Sequence, residues 1–271
     1  MTAQFVSLEE AVAQVSNGQM LALGGMTLYR RPVAFTLEMI RQNHPKQKIS
    51  DLTLLAFTAG YESDLLVGAG LARNIRTCYF GLEIFGFAPM FTYYANRAAL
   101  NVIEETEASI AFGLRAQMAG VGFMPSAAWI GTDLPKLRRD VKTILDPYTG
   151  EELTAFPAIK PDIAVIHALK ADQDGNVVIG KNKGIDEELA LTAETVIVTT
   201  EEIVPALTEA DIAAPFIDLV IYAPQGAKPT SCHPLYPLDG FTLLEYVSSV
   251  NDPESFNRYL EKILRQTHNE H

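Results

Sequence analysis

Short apolar runs alternate with amphipathic stretches along this chain, and that rhythm restricts it to an α/β fold built on an open, largely parallel sheet with flanking helices. Strands are expected at Met20–Leu23, Leu52–Phe57, Ile75–Phe80, Ile163–Ala168, Val196–Thr199 and Ile217–Ala223, with Val102 and Ile103 extended. Helices are expected between them. Ser7 and Glu10 have capping-box spacing, which starts a helix running to about Ser16. Pro32 suits a first helical turn, with Val33, Leu37 and Ile40 on one face, and the helix should stop near Asn43-His44-Pro45. Further helices are read at Glu62–Ala69, Pro89–Leu100 and Glu107–Ala119. From Pro253, the residues Phe256, Tyr259, Leu260, Ile263 and Leu264 form the apolar stripe of a docking helix, followed by a frayed tail from Gln266.

The segment Pro125–Pro161 is rich in proline and is read as surface excursions within a single domain spanning residues 1–271, not as a linker. Asp172-Gln173-Asp174-Gly175 signals a turn whose type the spacing leaves open. With 271 residues, 48% of them hydrophobic, the chain is long enough and apolar enough to bury a substantial core.

Charge and composition narrow the function classes. The net charge of −12 gives a field that repels polyanions, which argues against nucleic-acid binding. No apolar run is long enough for a membrane-spanning helix, and Met1–Glu10 does not read as a secretory signal. The two distant cysteines, Cys78 and Cys232, fit reduced thiols, so the expected compartment is the cytoplasm. No histidine has metal-ligand spacing with another donor, and no metal is expected. A Gly-x-Ser-x-Gly elbow is also missing.

Three places hold residues suited to chemistry. Gly24-Gly25 follows a strand and precedes a helix; the pair fits either a tight turn or backbone amides presented to an anion or oxyanion. Arg30 and Arg31 follow in the same loop and fit either a solvated pair or a holder for a carboxylate or phosphate. Glu104, Glu105 and Glu107 stand at a strand-to-helix junction, where a parallel sheet places catalytic groups but where acidic side chains also serve a helix N-terminus. His167, inside an apolar strand, reads more readily as a satisfied core histidine than as a catalytic one.

Four ordered blocks carry a resemblance. The first is Asn17-Gly18, Leu21-Ala22-Leu23, Gly24-Gly25-Met26 and Arg30-Arg31-Pro32. The second runs from His167-Ala168 to Asp174-Gly175, and the third is Glu201-Glu202-Ile203-Val204. The fourth is Gly226-Ala227, Pro229, Cys232 and Leu235-Tyr236. Together they resemble the A subunits of family I CoA-transferases, with Met26 where phenylalanine is usual and a basic pair similar to the glutaconate branch.

The resemblance implies a hetero-oligomer with a B subunit of the same basic fold. Its substrates are acyl-CoA and a carboxylic acid, and no cofactor is tightly bound. Gly24, Gly25, Met26, Arg30 and Arg31 would then line the substrate site. In that family a glutamate attacks the thioester and becomes a glutamyl-CoA, and the glutamate sits in a Ser-Glu-Asn-Gly-like string of the B subunit. This chain has no such string, and its comparable turn, Phe57-Thr58-Ala59-Gly60, has no carboxylate. The helix opening at Glu107 resembles a family helix that opens with glutamine, or with glutamate in a ring-opening hydrolase branch. Glu107 is therefore the catalytic candidate if the chain belongs to a hydrolase or decarboxylase offshoot.

Overall fold

Alternate residues of one strand, Ile163 to Ala168, face two different cores, and this decides the layering. Ile163 and Val165 pack into one cluster with Leu21, Leu23 and Leu54, while Ala164, Ile166 and Ala168 pack into another with Ala22 and Leu55. A strand buried on both faces belongs to the middle of a parallel sheet covered by helices on each side. The structure is a computed structural model that describes residues 3–43 and 49–269.

The elements in chain order begin with β1 (Gln4–Phe5), α1 (Leu8–Val12), β2 (Met20–Leu23), α2 (Val33–Asn43), β3 (Leu52–Ala59), α3 (Tyr61–Gly68) and β4 (Ala72–Phe80). Next come α4 (Pro89–Ala95), β5 (Asn101–Glu104), α5 (Glu107–Met118), β6 (Phe123–Ser126), α6 (Leu134–Leu137), β7 (Lys142–Leu145) and β8 (Glu152–Pro157). The rest are β9 (Ile163–Ala168), β10 (Lys170–Asp172), β11 (Val177–Val178), α7 (Asp186–Thr192), β12 (Thr195–Thr200), β13 (Ile203–Val204), β14 (Leu219–Tyr222), α8 (Gly240–Ser249) and α9 (Pro253–Asn269).

The main sheet has eight strands in the order β1-β14-β12-β9-β2-β3-β4-β5, and every pairing in it is parallel. From β2 the chain winds outward through β3, β4 and β5. It then returns to the other side of β2 with β9, β12 and β14. The direction of winding reverses between β2 and β9, and open parallel sheets hold their ligand crevices at that point, beyond the carboxyl ends of the strands.

Three expectations are corrected. The capping box forms as read, with Glu10 N–H donating to Ser7 Oγ at 3.2 Å and Ser7 N–H to Glu10 Oε2 at 2.9 Å, but the helix it starts ends at Val12. The proline-rich segment contains a three-stranded sheet, β6-β8-β7, with its own small core of Trp129, Val141 and Phe156. Prolines at the ends of short antiparallel strands are compatible with edges, and this hid the sheet. The last helix continues to Asn269, past the boundary read at Gln266. Glu270 and His271, like the expected helix stop at His44-Pro45, lie outside the described residues. The Asp172–Gly175 turn joins the antiparallel pair β10 and β11, with the Asp172 carboxylate accepting from the backbone of Asp174 and Asn176.

One buried carboxylate fastens three helices. Asp64 of α3 accepts from Met90 N at 3.1 Å and Phe91 N at 2.6 Å, in the first turn of α4, and from Tyr246 Oη of α8 at 2.6 Å. Burial pushes its pKa up to about 6, against the hydrogen bonds that favour its charge. A carboxyl group whose folded pKa is raised contributes stability that is full below its unfolded value and is lost as pH rises through the folded one. The stability advantage of the native chain over Asp64→Asn should therefore shrink, by on the order of 2 kcal/mol, between pH ~4 and pH ~7. Urea midpoints measured across that range check this, and a constant difference would contradict it.

Candidate active site at the carboxyl edge of the sheet

The turn after β2 is closed by the chain itself. Gly24 N–H donates to Val165 O and Gly25 N–H to Asp186 Oδ1, both at 2.9 Å. Met26 and Tyr29 exchange backbone hydrogen bonds at 2.8 and 2.9 Å. Of the two readings of the glycine pair, the geometry follows the tight turn, since both amides are engaged within the fold.

Glycine is required at both positions for steric reasons. Gly25 has φ +78°, and a Cβ there would stand 2.4 Å from Arg30 O. A Cβ on Gly24 would stand 2.7 Å from Asp186 Oδ1. Met26 is half-buried within the turn.

Arg30 fills the crevice between β2 and β9. Its side chain is fully buried, with Nη2 bonded to Asp186 Oδ2 at 2.7 Å and Asn182 O at 3.1 Å, and Nη1 donating to His167 O. Arg31 is equally buried and bonds Glu62 Oε1 at 2.5 Å through Nη2. Of the two readings of this pair, the solvated one does not hold: both guanidinium groups are buried and meet carboxylates of the chain's own. Among the described residues, Arg30 Nε, Arg31 Nε and Nη1, and Glu62 Oε2 are buried without a hydrogen-bond partner.

Beneath Arg30, three of the sequence blocks converge on one network. His167 Nε2 lies 2.7 Å from Glu201 Oε1, and Nδ1 lies 2.8 Å from Thr199 Oγ1. Tyr236 Oη donates to the same Glu201 oxygen, while Gln225 N–H donates to Oε2 at 2.6 Å. Burial is the main cause of a lowered His167 pKa, and the nearby Arg30 charge acts in the same direction. Burial would raise Glu201, but the hydrogen bonds from His167, Tyr236 and Gln225 prevail and hold it below its ordinary value. His167, Glu201 and Cys232 have donor atoms within 4.8 Å of one another. Both Glu201 oxygens are already engaged and a guanidinium stands beside the histidine, so these groups form a hydrogen-bonded brace in the fold.

The acidic junction divides its labour. Thr106 caps α5 in a box with Ser109. Glu105 is buried and bonds both Arg76 Nε and Arg138 Nη1 at 2.7 Å. Glu107 is exposed at the first position of α5. Beside it lies the half-buried Cys78, whose thiol is pushed up to about 12 by burial first and the Glu107 charge second. Three strand spacings, about 14 Å, separate the ends of β2 and β5, so the fold keeps Glu107 apart from the glycine turn. The buried roles of Asp186 and Glu62 were missed in the sequence, where no spacing relates them to Arg30 and Arg31.

The family model described as coenzyme A transferase matches residues 5–217. The chain is 34% identical to the A-type subunit of 3-oxoadipate CoA-transferase from Pseudomonas knackmussii, covering 98% of this chain and 95% of that one. It is 26% identical to the cholesterol ring-cleaving hydrolase IpdA subunit of Rhodococcus jostii, over 96% and 93%. Among solved structures, glutaconate coenzyme A-transferase from Acidaminococcus fermentans superposes with a TM-score of 0.87 at 30% identity, covering 96% of this chain and 88% of that chain. The decarboxylase AibA/AibB superposes with a TM-score of 0.87 at 31% identity, over 96% and 99%. The chain belongs to the coenzyme A transferase family, and its relatives make it a subunit of the A type.

Removing the charge of Asp186 while keeping its shape leaves the Arg30 guanidinium buried and unpaired, which costs about 3–5 kcal/mol. Asp186→Asn should lower the denaturant midpoint accordingly. A loss below about 1 kcal/mol would show that the pair does not hold the turn.

Proposed function

We propose that this chain is the A half of a heteromeric acyl-CoA:carboxylate CoA-transferase whose attacking glutamate is supplied by a B-type subunit. The observation that carries this reading is the state of the carboxylates along the catalytic edge. Glu62, Glu105, Asp186 and Glu201 are each bound to an arginine, histidine or tyrosine of the chain itself. A nucleophile must approach a thioester carbonyl to roughly 3–3.5 Å, with a lone pair free and open to the substrate. None of these four meets both conditions; Glu62 keeps one unpartnered oxygen but is sealed from solvent.

In the proposed reaction, a partner glutamate attacks the thioester carbonyl and expels CoA thiolate, leaving an acyl-glutamyl anhydride. The thiolate then attacks the glutamyl carbonyl, releasing the first acid and forming a glutamyl-CoA thioester. An acceptor carboxylate reverses the two steps and leaves as the new acyl-CoA. The first pair of steps is covalent catalysis through an oxyanion at each tetrahedral stage. This chain contributes the wall of the site: the rigid turn at Gly24, Gly25 and Met26, backed by Arg30. Arg31, paired with Glu62 and sealed from solvent, stiffens the same wall from behind.

A second reading is favoured by Glu107. Its carboxylate is exposed at the carboxyl edge beside Cys78, and the relatives include a decarboxylase and a ring-cleaving hydrolase. In such an offshoot Glu107 would act as the acid or base.

Glu107→Gln separates the two readings. In the transferase, the chain co-expressed with its B-type subunit should keep activity within about threefold. In an offshoot the loss should exceed about a hundredfold, the usual scale for removing a general acid or base. Trapping with hydroxylamine and mapping by mass spectrometry should place the adduct on the partner. An adduct on Glu107, or CoA transfer by the isolated chain, would overturn the transferase reading.

A further inference from the structure

We propose that the apolar strip formed by Ile84, Phe87, Phe241 and Leu244 is the surface on which the B-type subunit docks, an inference that rests on the transferase reading above. Ile84 is 92% exposed, Phe87 83%, Phe241 87% and Leu244 50%. Isolated exposed apolar residues are ordinary, but these are contiguous. Ile84 and Phe87 flank Phe85 in the loop between β4 and α4, and Phe85 packs against Gly240, the first residue of α8. Phe241 and Leu244 are the next outward-facing residues of that helix. Tyr79, 37% exposed, joins the strip, because its hydroxyl accepts from Glu83 N–H at 3.3 Å.

The strip is held in place before any partner arrives. Asp64 bonds the first turn of α4, just after Phe87, and also Tyr246, two residues beyond Leu244. Both apolar segments are thus fastened to one buried carboxylate. Pre-ordered contact residues lose less freedom on association.

Area and position select the occupant. At roughly 150 Å² for each of the three nearly bare side chains, and about half that for Tyr79 and Leu244, the strip offers on the order of 600 Å². That approaches the ~800 Å² per partner of a stable interface and lies at the upper end of what a monomer commonly leaves bare. The loop bearing Ile84 and Phe87 leaves the carboxyl end of β4, between the ends of β3 and β5. It therefore rims the same edge as the glycine turn and Glu107. A partner that brings a glutamate to that edge must rest on its rim, which a second copy of this chain has no chemical reason to do.

The test is the affinity of Phe87→Asp/Phe241→Asp for the co-purified B-type subunit, measured by titration and by light scattering of the complex. The dissociation constant should rise at least about a hundredfold, because docking would bury two unpaired carboxylates in an apolar strip. The circular dichroism and urea midpoint of the isolated chain should stay unchanged. Phe87→Leu/Phe241→Leu should bind nearly normally, which separates docking from misfolding. Leu145→Asp/Tyr148→Asp, exposed at the end of β7 and in the turn after it, should leave the complex intact. Unaltered affinity of the aspartate variant would overturn the proposal. So would a homodimer of the isolated chain that the variant dissolves while binding to the B-type subunit persists. Failure of the unaltered chain to bind any B-type subunit would instead bring down the functional reading, and the docking surface with it.

Discussion

The buried ion pair of Arg30 and Asp186 stands where the sheet reverses its winding, and the surrounding structure is arranged around it. A guanidinium removed from water is tolerated only when its charge and most of its donors are met. Arg30 meets them with a carboxylate from the start of α7 and carbonyls from β9 and the loop before α7. These lie more than 130 residues away in sequence, so one side chain draws the end of β2 onto the second half of the fold. Asp186 then uses its other oxygen on Gly25 N–H. The glycine turn is consequently fixed from both sides, and no larger residue fits at either position.

The same logic is repeated with different chemistry in the layer below. His167, at the centre of the sheet, passes a hydrogen bond to Glu201 beyond the next strand, and Glu201 gathers Tyr236 and Gln225 from the closing loop. This loop in turn receives Arg30 N–H on Ser231 O, completing a circuit back to the first turn. On the other side of β2, Arg31 and Glu62 tie the loop to α3. Such networks are costly to leave half satisfied, so each part holds the others to one arrangement. The result is a braced carboxyl edge in which Glu62, Asp186 and Glu201 serve as anchors.

Under the proposed function, an edge whose buried carboxylates are committed to anchoring would form half of a divided active site. One half can supply a fixed wall while the other supplies the reacting group, because proximity is gained at the moment the two surfaces meet. An apolar rim and Glu107 stand exposed along the same edge.

Much of the fold was legible in the chain, because periodicity reports burial directly. The strands of the main sheet other than β1, the capping box at Ser7, the helix opening at Glu107 and the apolar stripe of α9 follow from local patterns of residues that pack in place. The proline-rich sheet was hidden, since its short strands pair only within an excursion and show no alternation strong enough to read. The family blocks were likewise visible as ordered motifs, but their purpose was not. Sequence established which residues were available: two glycines, two arginines, a histidine in a strand and three glutamates at a junction. Only the tertiary structure decided that Arg30 and Arg31 face inward to Asp186 and Glu62, that Glu105 is buried while Glu107 is exposed, and that His167 meets Glu201. The physical reason is that periodicity records which face of an element is buried, whereas the partner of a buried charge is set by long-range packing that no local pattern encodes.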